Sequence, residues 1–224
     1  MVKRRQILKF TSLPIGLVLS KNSFAGILDD VVGGGGGDWG QIAEDFNTSF
    51  MTIKNESFII LDVLAILAEA LGLAEEAALI RGESKRLEET GDSFGGDELD
   101  AVAEISSSTS EVVIKKTMEA ETLSAEQKAK MAEAAIKYVP SLIKAIGAGL
   151  LMVKTVQAAS SAGTPGVTDG MSVIQVARQI PTVGPAVIQY VSGSVEAGQS
   201  LTDIMSTKDV AVPDTSGLVM DGLA

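Results

Sequence analysis

Any chemistry performed by this chain has to come from carboxylates, lysines, serines and tyrosines, because the sequence holds no histidine and no cysteine. Those two absences exclude Ser-His-Asp and Cys-His nucleophiles, His-ligated zinc and haem, the Glu-x-x-His pairs of di-iron bundles, thiolate metal sites and disulfides. The acids come as doublets, Asp29-Asp30, Glu75-Glu76, Glu88-Glu89 and Asp97-Glu98. Neighbours on a helix project about 100° apart, so such doublets make a solvated face and not two carboxyls across a cleft. A Ser-Lys dyad could be drawn from Ser84 and Lys85, or from Ser141 and Lys144 at i, i+3, but Ser141 directly after Pro140 reads as a helix N-cap. The oxygen-rich stretches around Asp92 and Asp97 lack the spacing of a calcium loop with its glycine and closing glutamate. Trp39, Tyr138 and Tyr190 are too scattered for a stacking platform and read as packing residues. The expectation is a protein with no catalytic, cofactor-binding or metal-ligating residues, and not an enzyme.

Ahead of these residues stands a stretch with a different character. Residues 1–25 run from a basic start through an apolar segment, Phe10 to Ser20, to Lys21-Asn22-Ser23-Phe24-Ala25 before Gly26. Basic, apolar, polar and small is the order of a cleavable signal peptide, and Ser23 and Ala25 supply the small side chains needed for a cut between Ala25 and Gly26. About 11 interrupted apolar residues fall short of the roughly 20 that span a bilayer. Within the basic part, Lys3-Arg4-Arg5-Gln6-Ile7-Leu8-Lys9 resembles the twin-arginine consensus: paired arginines, a spacer, two apolar residues and a lysine. Lys3 stands where serine or threonine is usual and Ile7 where phenylalanine is usual. The resemblance implies that Arg4 and Arg5 are the translocase-recognition pair and that the chain is exported folded, to the periplasm or beyond. A general secretory leader shares the same order of segments, so the route stays open between the two.

Of the 18 lysines and arginines, five precede Gly26, which leaves 13 against 29 acids and a net charge of −16 for the remainder. A field of that sign repels nucleic acid and anionic lipid headgroups. Hydrophobic residues make up 46% of the chain and aromatics 4%, so the core has to be built from Ala, Leu, Ile and Val in helices.

The elements follow from spacing. Gly33 to Gly37 is an unbroken glycine run with no strand before it and no phosphate-loop lysine after it, so residues 26–37 read as a flexible linker. Asp38 caps a helix from Trp39, and Phe46, Phe50, Ile53, Ser57, Ile60, Leu64, Leu67, Leu71, Ala74 and Ala78 step by four and three along a heptad-like seam. That seam predicts either one helix to about Gly82 or two stacked helices with a break near Asn55 to Ser57, with Ile59 to Leu73 as the central, most buried part. Asp62 and Glu69 interrupt it, either as a solvated rim or as acids facing a cation or channel.

Residues 82–97, rich in glycine, serine and charge, read as a helix tail Glu83 to Glu89 followed by a loop, then a helix from about Glu98 that kinks or breaks at Ser106 to Ser110. Ser124 and Gln127 form a capping box. Pro140 predicts a kink or restart, and Ala145, Gly147, Ala148 and Gly149 predict a close helix contact, with Lys144 and Lys154 too near each other for a membrane span between them. A loop over 160–170 and a helix pair from Met171 to Met205, broken at Pro181 to Pro185, complete a bundle domain over residues 38–206, with 207–224 as a loose tail.

The fold class is therefore all-α, a helical bundle with a long heptad-like central helix after a signal peptide and a glycine-rich linker. An acidic surface, a long apolar seam and no catalytic equipment point to a non-enzymatic periplasmic protein that binds another macromolecule as adaptor, chaperone or accessory subunit. The partner expected is another protein, with no nucleic acid, no stable membrane span after the leader, and room for a homo-oligomer. The alternative is a carrier holding an apolar small molecule such as a lipid or quinone in a helical cavity.

Overall fold

The computed structural model describes residues 38–166 and 169–215. The leader with Arg4, Arg5, Ala25 and Gly26, the glycine run, and residues 216–224 lie outside the described residues. Among the described residues there is no strand. The helices are α1 (Trp39–Ala70), α2 (Ala74–Glu89), α3 (Gly96–Glu119), α4 (Ala125–Ala162) and α5 (Met171–Thr207), with a 3₁₀ turn at Gly91–Ser93 before α3. This is the all-α bundle of long helices that the seam and the aromatic-poor composition predict.

Cross-helix contacts give the direction of each helix. Arg81 pairs with Glu69, and Lys54 Nζ donates to Gly91 O at 2.5 Å, so α2 returns along α1. Lys144 reaches Glu56 while Lys130 acts on Glu69, so α4 is also antiparallel to α1. Gly149 meets Val191, and Gly184 meets Val156, which makes α5 antiparallel to α4. Gly96 lies on Thr182, and Lys208 Nζ donates to Ala120 O, which makes α3 and α5 parallel neighbours. The helices thus alternate up and down through the chain. α1 is central, touching all four others, whereas the consecutive helices α3 and α4 share no substantial interface.

The seam is buried as its spacing predicts: Phe46, Ile53, Ser57, Ile60, Leu64 and Leu67 are inaccessible or nearly so. Asp38 caps α1, its Oδ1 accepting from Gly40 N–H at 2.8 Å. The helix neither breaks at Asn55 to Ser57 nor runs on to Gly82. It ends where Gly72 takes a left-handed φ of 78°, with Gly72 N–H donating to Glu69 O and Leu73 N–H to Ala68 O. That pair of bonds is a Schellman cap, and a residue with a side chain would be strained there. The turn resets the phase, so Ala74 and Ala78 of the predicted seam are exposed and α2 buries Ala77, Ile80 and Leu87 instead. α2 runs through Gly82 to Glu89, as the expected helix tail does, and the loop after it covers residues 90–95.

Three further expected breaks do not occur. α3 is uninterrupted through its serine run, and α4 and α5 are uninterrupted through Pro140, Pro181 and Pro185. All three prolines lie on the exposed side. The carbonyls they leave without a helical donor are those of Ile136, Ala177 and Pro181, of which Ile136 and Pro181 are exposed and Ala177 is half-buried. Each helix continues through its prolines with its inner face packed in the core.

The serine run is a helix contact, with Ser106, Thr109 and Ser110 buried. The capping box at α4 forms as expected, with Ser124 N–H donating to Gln127 Oε1 at 2.9 Å and Gln127 N–H to Ser124 Oγ at 3.1 Å. The close contact predicted on α4 is made by Gly149, with Ala145 and Ala148 buried beside it, while Gly147 faces open space. α4 extends to Ala162, into the expected loop. By length and composition alone α4 could cross a membrane, and half of its apolar window is buried inside the bundle. The tail begins later than expected: Lys128 pairs with Asp209 at 3.4 Å and Val210 is buried, so residues 208–210 belong to the packed body.

Candidate functional site

The residues whose types suggested chemistry are kept apart. Ser141 is buried in the middle of α4 and caps nothing, and Lys144 is directed at Glu56, 3.2 Å from its Oε1. Lys85, Glu75, Glu88 and Glu89 lie on the outside of α2. Asp97 is exposed, and Glu98 folds back to accept from Gly95 N–H at 2.8 Å. Asp62 and Glu69 are exposed, the rim arrangement. The hydrogen bond from Arg81 holds the Glu69 carboxyl below its usual range and raises the guanidinium in turn. Among the described residues no three acids gather as a metal site would require.

Two features emerge that the sequence does not announce. The first is a polar layer inside the bundle. Glu56 on α1 is 6% exposed, and its Oε2 has no partner. At the same level the hydroxyls of Ser106 and Ser110 on α3, and of Tyr190 and Ser194 on α5, are buried without a hydrogen bond. Ser106, Tyr138, Tyr190 and Ser194 line a space of about 30 Å³. A water needs about 10–15 Å³ and two to four polar partners, so the layer has both the room and the groups for one. Burial pushes the phenols of Tyr138 and Tyr190 well above their ordinary range, partly offset by Ser110 beside the one and Ser194 beside the other.

Glu56 and Lys144 are the charged members of that layer. Removing the lysine would leave a buried carboxylate without its cation, although Lys144 itself is 62% exposed and water can replace part of its effect. Lys144→Met is expected to destabilise the fold by about 1–2 kcal/mol in urea unfolding, and adding Glu56→Leu to restore most of the loss. Equal destabilisation in the single and double variants would show that the pair is not coupled.

The second feature is a groove. α2 leans on α1 and barely meets α3, leaving an open trough of about 240 Å³ between them. Ile80, Ile105 and Val113 form its floor, and Leu79 and Val112 stand at its edge, 71% and 39% exposed. Glu76 and Glu83, about two helical turns apart on α2, flank it with negative charge. The groove offers apolar surface bordered by acids. Compared with protein-family models, with curated proteins and with solved structures, the chain finds no match.

Proposed function

We propose that this is a non-enzymatic exported protein, periplasmic or secreted, that binds another protein by accepting an amphipathic helix in the groove between α2 and α3. The observation that supports this most directly is Leu79, a large apolar side chain left 71% exposed over an apolar trough with Glu76 and Glu83 beside it. Apolar side chains of the partner would fill the trough, and its lysines or arginines would meet the two acids. The same acids, with the net charge of −16 after the leader, disfavour nucleic acid as the partner.

A photoreactive residue at position 79 in intact host cells tests the reading. It should yield one discrete protein adduct whose cross-linked peptide is helical with basic flanks. Charge reversal by Glu76→Lys with Glu83→Lys should cut the yield about tenfold, since rim charges govern the rate of encounter. The same probe at Ser200, exposed on α5, should give none. No discrete adduct, or one insensitive to charge reversal and equally strong at position 200, would overturn it.

A further inference from the structure

α4 packs on α1 and α5 by one side, and half of its apolar window is left outside the core. The outward side carries a stripe, Glu133, Ile136, Pro140, Ile143, Gly147, Leu151 and Lys154, whose steps of three and four keep it within about 80° of arc. Ile136 is 62% exposed and Ile143 38%, Pro140 and Gly147 are exposed as well, and Leu151 is half-buried. Single apolar residues at a surface need no explanation, but five uncharged positions in line over about 23 Å of one helix form a face. Charge stands only at the two ends of the stripe, and the signs are opposite. Turned end for end, the stripe is therefore complementary to itself. A two-fold axis between Ile143 and Lys144 sets Glu133 opposite Lys154 of a second copy, Ile136 opposite Leu151, and Pro140 opposite Gly147, which has no side chain to obstruct the ring. A parallel copy would set Glu133 against Glu133 and Lys154 against Lys154. The neighbouring lysines do not oppose the antiparallel register: Lys144, beside the axis, has Glu56 of α1 at 3.2 Å, and Lys137 has Glu133 at 3.8 Å.

We propose that the exported chain forms a two-fold dimer through this face, α4 antiparallel to α4 of a second copy, with the Ile143 side chains at the centre and a Glu133–Lys154 pair at each end. A stripe about 32 Å long and about 10 Å wide buries on the order of 300 Å² per copy, less than the roughly 800 Å² of a standard interface, so the dimer dissociates readily, with a Kd on the order of 10–100 µM. The face lies on a helix that takes no part in the α2–α3 groove, so the two proposals stand or fall separately.

The test is sedimentation equilibrium of the exported chain from about 5 to about 500 µM, in about 0.15 M salt to screen its net charge. The data should fit a monomer in equilibrium with a dimer. Ile143→Asp, at a partly exposed position where a matching thermal melt verifies folding, should leave only monomer. Glu133→Lys and Lys154→Glu should each weaken association about tenfold, and the double variant should recover it, because the reversed pair is again complementary. The chain has no cysteine, so introduced thiols report proximity without background. Ile143→Cys should be joined to its mate by a short bis-maleimide, whereas Ile136→Cys, whose two copies stand about 22 Å apart along the helices, should not. A chain that stays monomeric at the highest concentration would overturn the proposal. So would a dimer that is indifferent to Ile143→Asp, that the double exchange does not recover, or that cross-links at position 136 and not at 143, which would mean another face or another register.

Discussion

Titrated upward from neutral pH, the protein should show no tyrosinate absorbance until it unfolds, and it should unfold cooperatively above about pH 10. Both tyrosines of the chain, Tyr138 and Tyr190, are 1% exposed, in the interior layer with Glu56 and the unpartnered serines. Burial raises both phenols in the folded state, so the folded chain keeps two protons that the unfolded chain releases once the pH passes the ordinary tyrosine value. The sign follows directly. Stability that is fully present below the unfolded pKa is lost as the pH rises past it, at about 1.4 kcal/mol per pH unit for each tyrosine and about 2.7 for the two. One to two units of that slope remove about 3–5 kcal/mol, enough to unfold a domain at the low end of the usual 5–15 kcal/mol. With no histidine or cysteine in the chain, stability should vary little between about pH 6 and 9. Tyr138→Phe should halve the alkaline slope measured by urea unfolding. Tyrosinate appearing smoothly near pH 10 with the helical signal intact would mean that hydroxide reaches the layer.

Two glycines two residues apart on α4 should respond to substitution in opposite directions. A Cβ at Gly149 would stand 3.1 Å from both γ-methyls of Val191 and 3.3 Å from its Cβ. Val191 is fully buried and β-branched, so it cannot rotate both methyls away, and the α4–α5 interface has to open. Gly149→Leu should cost about 3 kcal/mol or more, enough to lower the melting midpoint by several degrees. Gly147 faces open space, so there Gly147→Ala removes only the conformational freedom of a helical glycine and should stabilise by about 0.5–1 kcal/mol. If Gly149→Leu leaves the melting midpoint unchanged, the helices do not cross at Gly149 as described.

What is legible in the sequence is what a single turn of helix decides. Asp38 and Ser124 mark helix starts because a capping side chain bonds to backbone two or three residues on, and the Phe46-to-Leu67 spacing marks a buried face because helical geometry alone aligns it. Where tertiary packing decides, local rules mislead. Pro140, Pro181 and Pro185 each remove a hydrogen bond, yet all three sit on the exposed side of helices that continue through them and pack on the other side. Ser106 to Ser110 are poor helix formers, and the shortness of their side chains is what lets α3 settle against its neighbours. The one break that does occur falls at Gly72, inside the stretch whose apolar periodicity runs on regardless. The groove could not be read at all, because Leu79 and Val112 sit in different helices and their exposure depends on how far α2 stands from α3. Glu56 is likewise one acid among 29, distinguished only by which neighbours close over it.

The order in which the helices meet has a consequence for when the chain can become itself. Lys208 and Ala120, which tie α5 to α3, are 88 residues apart, and Lys144 and Glu56, which tie α4 to α1, are separated by the same distance. A helix forms within about a microsecond, but contacts that distant wait for long loops to close, and proteins rich in them fold slowly for their helical content. During synthesis α1 and α3 emerge well before the helices that cover them, and their apolar faces are uncovered in the interval. The bundle closes only when residues as far as Val210 are free to pack, so its assembly time is that of the whole chain and not that of any helix within it.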